Sequence, residues 1–160
     1  MTAVTNTGQA TRGRVGLLVT CLIDTLRPQA GFAAVRLLER AGYTVKVPAQ
    51  ICCGQPNFNG GDTDGARAMA RQTLDIFTGY DYVVVPSGSC AAMLRVHYPA
   101  LFDPGSSNHE RATALAQRTF ELTEFLVDQL GVTDLGARYS GPITYHSSCH
   151  LLRDLGVNRQ

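Results

Sequence analysis

The chain has 160 residues, of which 44% are hydrophobic and 17% charged, and this length suits one ordinary globular domain. Its formal net charge of +1 excludes the large basic field that holds nucleic acid or an acidic membrane surface. Its apolar runs, about five to eight residues long, are far shorter than the roughly 20 that span a bilayer. The polar stretch 1–12 lacks the apolar core of a signal peptide. We therefore expect a cytoplasmic protein without a membrane span, and we interpret residues 1–13 as a flexible tail.

Four segments have the pattern of β-strands. Continuous apolar runs predict buried strands at 15–20 and 82–85, of the kind found in parallel sheets. The alternating residues 43–47 predict a strand that is more exposed on one face. A fourth strand is predicted at 143–145.

Helices are predicted between these strands. Apolar residues near helical spacing predict helices over 28–40 and 110–130, and a third helix is capped by Asp62 and reaches about Phe77. A shorter helix is predicted over 90–96. Alternating strands and helices indicate an α/β fold with an open, mostly parallel sheet flanked by helices.

The cysteines follow the predicted strands in chain order: Cys21 after the first, Cys52 and Cys53 after the second, Cys90 after the third and Cys149 after the fourth. Five is an odd number, which argues against a disulfide framework in a reducing cytosol. Cysteines that only fill a core would scatter into strands and helices. These lie in loops at the carboxyl ends of strands, where open parallel sheets bind ligands. We predict a ligand-binding role, with core packing as the alternative.

The adjacent pair Cys52-Cys53 narrows the choice of ligand. Thiolates select zinc, copper(I) and iron–sulfur clusters, and zinc sites usually show pairs at CxxC-like spacing. Neighbouring side chains in extended backbone point opposite ways, so two such thiolates reach different irons of a cluster more easily than one ion. Gly54 permits the unusual dihedrals of such a turn. The residues favour an iron–sulfur centre held by Cys21, Cys52, Cys53 and Cys90; zinc and a vicinal disulfide stay open.

Residues 13–22 and 141–150 resemble each other, since each has Gly, a β-branched residue two later, and Cys eight after the Gly. This similarity predicts that residues 136–160 begin a second repeat of the same unit, with Cys149 as a ligand of a second, incomplete site. The apolar residues of this segment would lack their normal cover. We therefore expect the segment either to dock on the first domain or to bring two chains together as a homodimer.

The histidines carry weaker signals. His146 and His150 flank Cys149, and we interpret them as turn residues rather than ligands or proton carriers. His97 and His109 are interpreted as surface residues. No residue of the chain is assigned a catalytic role.

The sequence resembles the cysteine-rich CCG domain. The motif Cys52-Cys53-Gly54 has Cys21 about thirty residues before it and Cys90 about thirty-seven residues after it. The likeness covers nearly the whole chain from residue 14. Its most specific segments are VTCLIDTLRP at 19–28, QICCGQPNFNGG at 50–61, PSGSCAAMLR at 86–95 and YHSSCHLLRDLG at 145–156.

This domain occurs in a subunit of heterodisulfide reductase, in glycolate oxidase iron–sulfur subunits and in the lactate utilisation protein A group, which is the most similar. The resemblance implies a domain that occurs twice per chain, with residues 14–135 as the first copy, and a noncubane [4Fe–4S] cluster in each copy. It implies an iron–sulfur electron-transfer subunit of a complex that oxidises L-lactate to pyruvate, with the other subunits as partners, rather than a self-sufficient enzyme. The alternatives are a zinc-binding or apo structural module and a dithiol redox protein that uses Cys52 and Cys53.

The sequence departs from the family pattern at two places. The fullest pattern ends in CxxC, whereas this chain has Ser87-Gly88-Ser89-Cys90, so one thiolate is missing or replaced by a weaker hydroxyl. Family members also continue past the segment 145–156 to a second CCG motif, so the chain resembles the N-terminal half of such a protein.

Overall fold

The computed structural model describes residues 12–158, so the predicted tail lies almost entirely outside the described residues. Four strands within these residues form one open, all-parallel sheet in the order β2-β1-β3-β4. The strands are β1 (Arg14–Leu17), β2 (Thr44–Lys46), β3 (Tyr82–Val85) and β4 (Thr119–Glu121). This architecture confirms the predicted α/β class.

Helices connect the strands and cover the sheet. The first four are α1 (Cys21–Leu26), α2 (Pro28–Arg40), α3 (Gln55–Asn59) and α4 (Thr63–Ile76). The others are α5 (Gly88–Ala92), α6 (Tyr98–Ala100), α7 (Ser107–Gln117), α8 (Leu122–Glu124) and α9 (Cys149–Arg153). Two π-helical segments, Met93–His97 between α5 and α6 and Phe125–Gln129 after α8, complete the set. In the part of the chain that the structure describes, no helix is both long and apolar enough to cross a bilayer.

The two central strands, β1 and β3, are largely buried on both faces, as their continuous apolar residues predict. Along β3, Val83 and Val85 pack in one hydrophobic cluster, whereas Val84 packs in the cluster on the opposite face. All three side chains are fully buried. Successive strand residues point to opposite faces, so a strand covered by helices on both sides needs an apolar residue at every position.

Two helices have the bounds that their sequence signals predict. α2 begins at Pro28 and ends at Arg40, because proline suits the first helical turn. α4 begins after Asp62, whose Oδ1 accepts a hydrogen bond from the Gly65 amide at 2.9 Å. This side chain satisfies one of the amides that every helix start leaves without a partner.

The long helix predicted over 110–130 is wrong, because the segment holds the edge strand β4. The backbone of Thr119–Glu121 pairs with β3, which supplies partners for the amides and carbonyls on the inner side of that strand. Glu121 then begins a new helix through a capping box with Glu124. Arg95 fixes this turn, since its Nη1 lies 2.7 Å from each carboxylate oxygen of Glu124. Apolar residues at near-helical spacing continue across the break and hide it from the sequence pattern.

The strand predicted at 143–145 is also wrong. These residues have no regular structure, and the side chains of Ile143 and Tyr145 are 82% and 65% exposed. Alternating residues form a strand only where a neighbouring backbone takes their hydrogen bonds, and no described strand pairs with this segment.

The segment that follows docks on the first domain through α9. Leu151 is buried against α5, and Leu155 and Val157 are covered as well. A Cβ atom on Gly88 would lie 2.5 Å from the Leu151 Cβ. Gly88 lies inside α5, and its lack of a side chain allows Leu151 to approach closely. The alternative expectation, a homodimer through this segment, stays a prediction.

The contact between Gly88 and Leu151 yields a double-mutant test. Gly88→Ala should lower the free energy of unfolding by about 1–3 kcal/mol through overpacking, or detach α9, as seen by urea denaturation and limited proteolysis. In a Leu151→Gly background, which removes the Cβ that would lie 2.5 Å away, the same change should cost much less, since alanine also forms helix better than glycine by about 1 kcal/mol. An equal cost in both backgrounds would contradict this contact.

Candidate metal centre

Three loop and helix segments carry four cysteines to the carboxyl-end edge of the sheet. Cys21 begins α1 shortly after β1, and its helix is capped by Thr20, whose Oγ1 accepts from the Ile23 amide at 3.3 Å. Cys52 and Cys53 lie in the loop after β2. Cys90 lies in α5 after β3. Parallel strands end along one edge, so these segments converge although they are far apart in sequence.

The four thiols form two pairs. The sulfur of Cys21 lies 3.8 Å from that of Cys52, and the sulfur of Cys53 lies 3.2 Å from that of Cys90. The neighbours Cys52 and Cys53 thus point to different partners, and both carry free thiols. The pair of Cys53 and Cys90 is buried, whereas Cys21 is exposed and Cys52 is half-buried. The site has an interior side and a surface side.

Gly54 follows the two neighbours and makes the turn into α3. Its φ of +81° lies in the left-handed region, and a Cβ there would come within 3.2 Å of the Met69 side chain. Glycine reaches this region without the steric cost that other residues meet. The sequence prediction for Gly54 is confirmed.

Tyr98 anchors the turn at Cys53 and Gly54 from the interior of the protein. Its hydroxyl donates to the Cys53 carbonyl at 2.9 Å and lies 3.1 Å from Thr73 Oγ1. The side chain is fully buried, and burial raises the pKa of its hydroxyl. The sequence analysis missed this residue. The available signal was spacing, because Tyr98 follows Cys90 by eight residues, about two helical turns, on one continuous helix.

The buried thiols share a proton. The Cys53 thiol donates to the Cys90 sulfur, which lowers the pKa of Cys90 to about 7 and raises the pKa of Cys53. Burial opposes the shift at Cys90, whereas the hydroxyls of Ser87 and Ser89 reinforce it. Ser87 therefore faces this thiol. The Cys53 and Cys90 thiols, whose sulfurs lie 3.2 Å apart, cannot both ionise without a nearby positive charge.

The thiols of the two pairs interact electrostatically with one another. Partial burial and the adjacent Cys52 raise the pKa of Cys21, and the charge of Cys90 contributes as well. Among residues 12–158, however, no three of these sulfurs lie within 4.8 Å of one another. One tetrahedral zinc, with Zn–S bonds of about 2.3 Å, needs its sulfurs closer together. The donor set can hold a positively charged metal centre.

Cys149 belongs to neither of the two pairs of thiols. It begins α9 and is exposed, and Ser148 caps that helix by accepting from the Leu151 amide at 3.3 Å. Because the strand expected before it is absent, Cys149 does not share the strand-end position of the other four cysteines.

A cavity of about 460 Å³ opens beside the exposed pair, with Cys21 and Cys52 in its wall. Apolar side chains form much of its lining, and Phe32 and Val47 are 66% and 50% exposed. Gln50 donates through Nε2 to the Leu17 carbonyl at 3.3 Å, while its buried Oε1 has no partner among the described residues. The exposed thiols can therefore be approached through this cavity.

Comparison of the sequence with known proteins identifies the family of this chain. Residues 15–95 match the family described as "Cysteine-rich domain" (CCG). The chain is 49% identical over 145 residues to "Lactate utilization protein A" of Bacillus pumilus and 50% identical over 145 residues to that of Geobacillus kaustophilus. Each alignment covers 90% of this chain and 60% of the relative, so the chain spans about 60% of the length of these curated relatives. No solved structure matches significantly.

The shared proton gives the metal-free chain a distinct pH dependence. One thiolate should appear, by its absorbance at 240 nm, as the pH rises through about 7. Cys53→Ala should move this midpoint up towards the ordinary thiol value of about 8.5, because it removes the donated hydrogen bond. Cys149→Ala is the control and should leave the midpoint in place.

The Cys53 and Cys90 pair also determines how the stability of the metal-free chain changes with pH. Above a pH of about 7 the folded chain has released the Cys90 proton, while unfolded thiols keep theirs, so stability should rise with pH up to about 8.5. Above that value unfolded thiols ionise while Cys53 stays protonated, so stability should fall. Urea denaturation across this range tests both signs, and a flat profile would contradict the shared proton.

Proposed function

Because the chain belongs to the CCG cysteine-rich domain family, we propose that it binds an iron–sulfur cluster through Cys21, Cys52, Cys53 and Cys90. The observation that carries the proposal is the division of four thiols into a buried and an exposed pair at one sheet edge. A noncubane [4Fe–4S] cluster suits this set, since adjacent cysteines that point apart serve different irons. When bound, such a centre supplies one-electron redox chemistry.

The residues of the chain give the site its asymmetry. Cys53 and Cys90 provide ligands on the interior side, where Tyr98 anchors the Cys53 carbonyl. Low dielectric and the hydrogen bonds to ligating sulfurs tune the potential of a cluster. Ser87 and Ser89 supply such hydroxyl contacts at Cys90. On the other side, Cys21 and Cys52 border the open cavity.

We further propose that the chain is an electron-transfer subunit in lactate utilisation. Support comes from the name of its relatives, "Lactate utilization protein A", and from the approach that the cavity gives to the exposed thiols. In this proposal other subunits of a complex oxidise L-lactate to pyruvate, and this chain receives or passes the electrons.

The domain division belongs to the same proposal. Residues 14–135 form the first CCG domain, and residues 136–160 begin a second repeat. The greater length of the relatives supports this division, as does the similarity of residues 13–22 and 141–150. Cys149 would then be a ligand of a second site.

Anaerobic reconstitution tests the cluster. The full chain should bind iron and sulfide and develop a broad visible absorbance, which Cys90→Ser and Cys52→Ser should each largely abolish. Cys149→Ser is the matched control, because it makes the same chemical change outside the two pairs, and it should load normally. Stoichiometric zinc without iron under these conditions would overturn the proposal in favour of a zinc module.

Ser87 tests the incomplete ligand set. Because its hydroxyl faces Cys90, Ser87→Cys should add a thiolate at the CxxC position and slow cluster loss in air. Ser87→Ala should speed that loss, so the order of lifetimes should be Cys, Ser, Ala. Ser107→Cys adds an exposed thiol on α7 as the control and should leave the lifetime unchanged. Equal lifetimes for all three residues at position 87 would show that it makes no contact with the cluster.

A further inference from the structure

Two histidines and an aspartate from separate parts of the chain meet beside α9. His97 ends the π-helical segment after α5, His150 lies in α9, and Asp154 directly follows that helix. Each residue offers one ligand atom, and these atoms all lie within 4.8 Å of one another. The sequence places His97 more than fifty residues from the other two, so their meeting is a product of the fold.

The side chain of His97 is held in place by aromatic packing. Its ring lies 4.6 Å from that of Phe58, with an angle of 31° between the two planes, and Phe58 packs in turn against the core. The next residue, Tyr98, is fully buried. The π-helical segment adds a residue to the turn, a feature often found at functional sites. The histidine ring is thus positioned before any ligand arrives.

The other two residues are positioned by the docking of α9. His150 and Asp154 are four residues apart, which puts them on one face, and Nδ1 of the histidine lies 2.6 Å from Oδ2 of the aspartate. Leu151, which is buried against Gly88, fixes the rotation of this face towards His97. A hydrogen bond between His150 and Asp154 alone would need only these two residues; it would not account for the third residue.

We propose that His97, His150 and Asp154 bind a divalent transition metal, for which Zn²⁺ fits best, at a site separate from the four thiols. Two imidazoles and a carboxylate form a ligand set that zinc takes readily, with bonds of about 2.0–2.2 Å. The three ligand atoms already lie within 4.8 Å of one another, and side-chain rotation would have to bring them to these bond lengths. The metal links α9 to the helix that carries Cys90, so it clamps segment 149–157 onto the first domain. This proposal does not depend on the iron–sulfur cluster.

Cobalt distinguishes this site from the thiols in the full-length chain. In a Co²⁺ titration, cobalt at the thiols gives a sulfur-to-metal charge-transfer band, and the proposed site should appear as a further equivalent of bound cobalt that has d–d absorption only. His97→Gln, His150→Gln and Asp154→Asn should each weaken this binding at least about tenfold, in line with the loss caused by disturbing a metal's ligand environment. Matched controls are His109→Gln and His146→Gln, and Cys149→Ser tests whether the neighbouring thiol takes part. All three should bind as the unaltered chain does.

A second measurement tests the clamp. Zn²⁺ should slow proteolysis of segment 136–158 in the unaltered chain and not in His97→Gln. Circular dichroism verifies that the variants fold; if His97→Gln fails to fold, Asp154→Asn carries the test. Cobalt bound only through sulfur would overturn the proposal, as would unchanged cobalt binding in the folded variants. Either result would leave His150 and Asp154 as a simple hydrogen-bonded pair.

Discussion

The candidate centre depends on one backbone constraint, the sharp turn after two adjacent cysteines. Successive side chains in extended backbone point apart, and the left-handed Gly54 lets the chain reverse immediately afterwards. Cys52 therefore meets Cys21 at the surface, and Cys53 meets Cys90 in the interior. A residue with a Cβ at position 54 would be strained by its φ and crowded by Met69. The separation of the two thiol pairs follows from this turn.

Burial then gives the two pairs different chemistry. Between Cys53 and Cys90 one proton is retained, because a second negative charge in low dielectric is too costly without a cation. The site therefore favours the binding of positive charge, and the buried hydroxyl of Tyr98 keeps the loop from moving away. The exposed pair borders a cavity. The buried pair favours tight retention of a metal centre, and the pair beside the cavity leaves that centre within reach of a partner.

Sequence predicts those parts of the fold whose signals are local. The apolar residues of β3 and the capping side chain of Asp62 act within a few positions, so the strand and α4 were predicted closely. The sequence pattern does not reveal β4, because an edge strand forms only where a neighbouring strand, here β3, takes its backbone hydrogen bonds. The near-helical spacing of apolar residues in 110–130 continues through β4 and hides it. The strand expected at 143–145 failed for the converse reason, since its alternating pattern meets no partner backbone among the described strands.

The same distinction applies to the site. Strand-end positions of Cys21, Cys52, Cys53 and Cys90 could be predicted, because parallel topology brings the carboxyl ends of strands to one edge. Three features could not be predicted, because each depends on how the helices pack. They are the distances within the thiol pairs, the anchoring role of Tyr98 and the contact between His97 and His150. Cys149 shows the limit of the argument: its predicted place rested on a strand that does not form.

One continuous helical stretch links the features of this edge. It begins at Gly88, carries Cys90 in its first turn, and passes through the π-helical segment to His97 and Tyr98. Leu151 of α9 presses on its start, where only glycine leaves room. Tyr98 is buried at one end of the stretch, and Arg95 within it is paired with Glu124. A displacement of α9 therefore acts on the turn that holds Cys90, which makes the docking of α9 part of what positions the buried thiols.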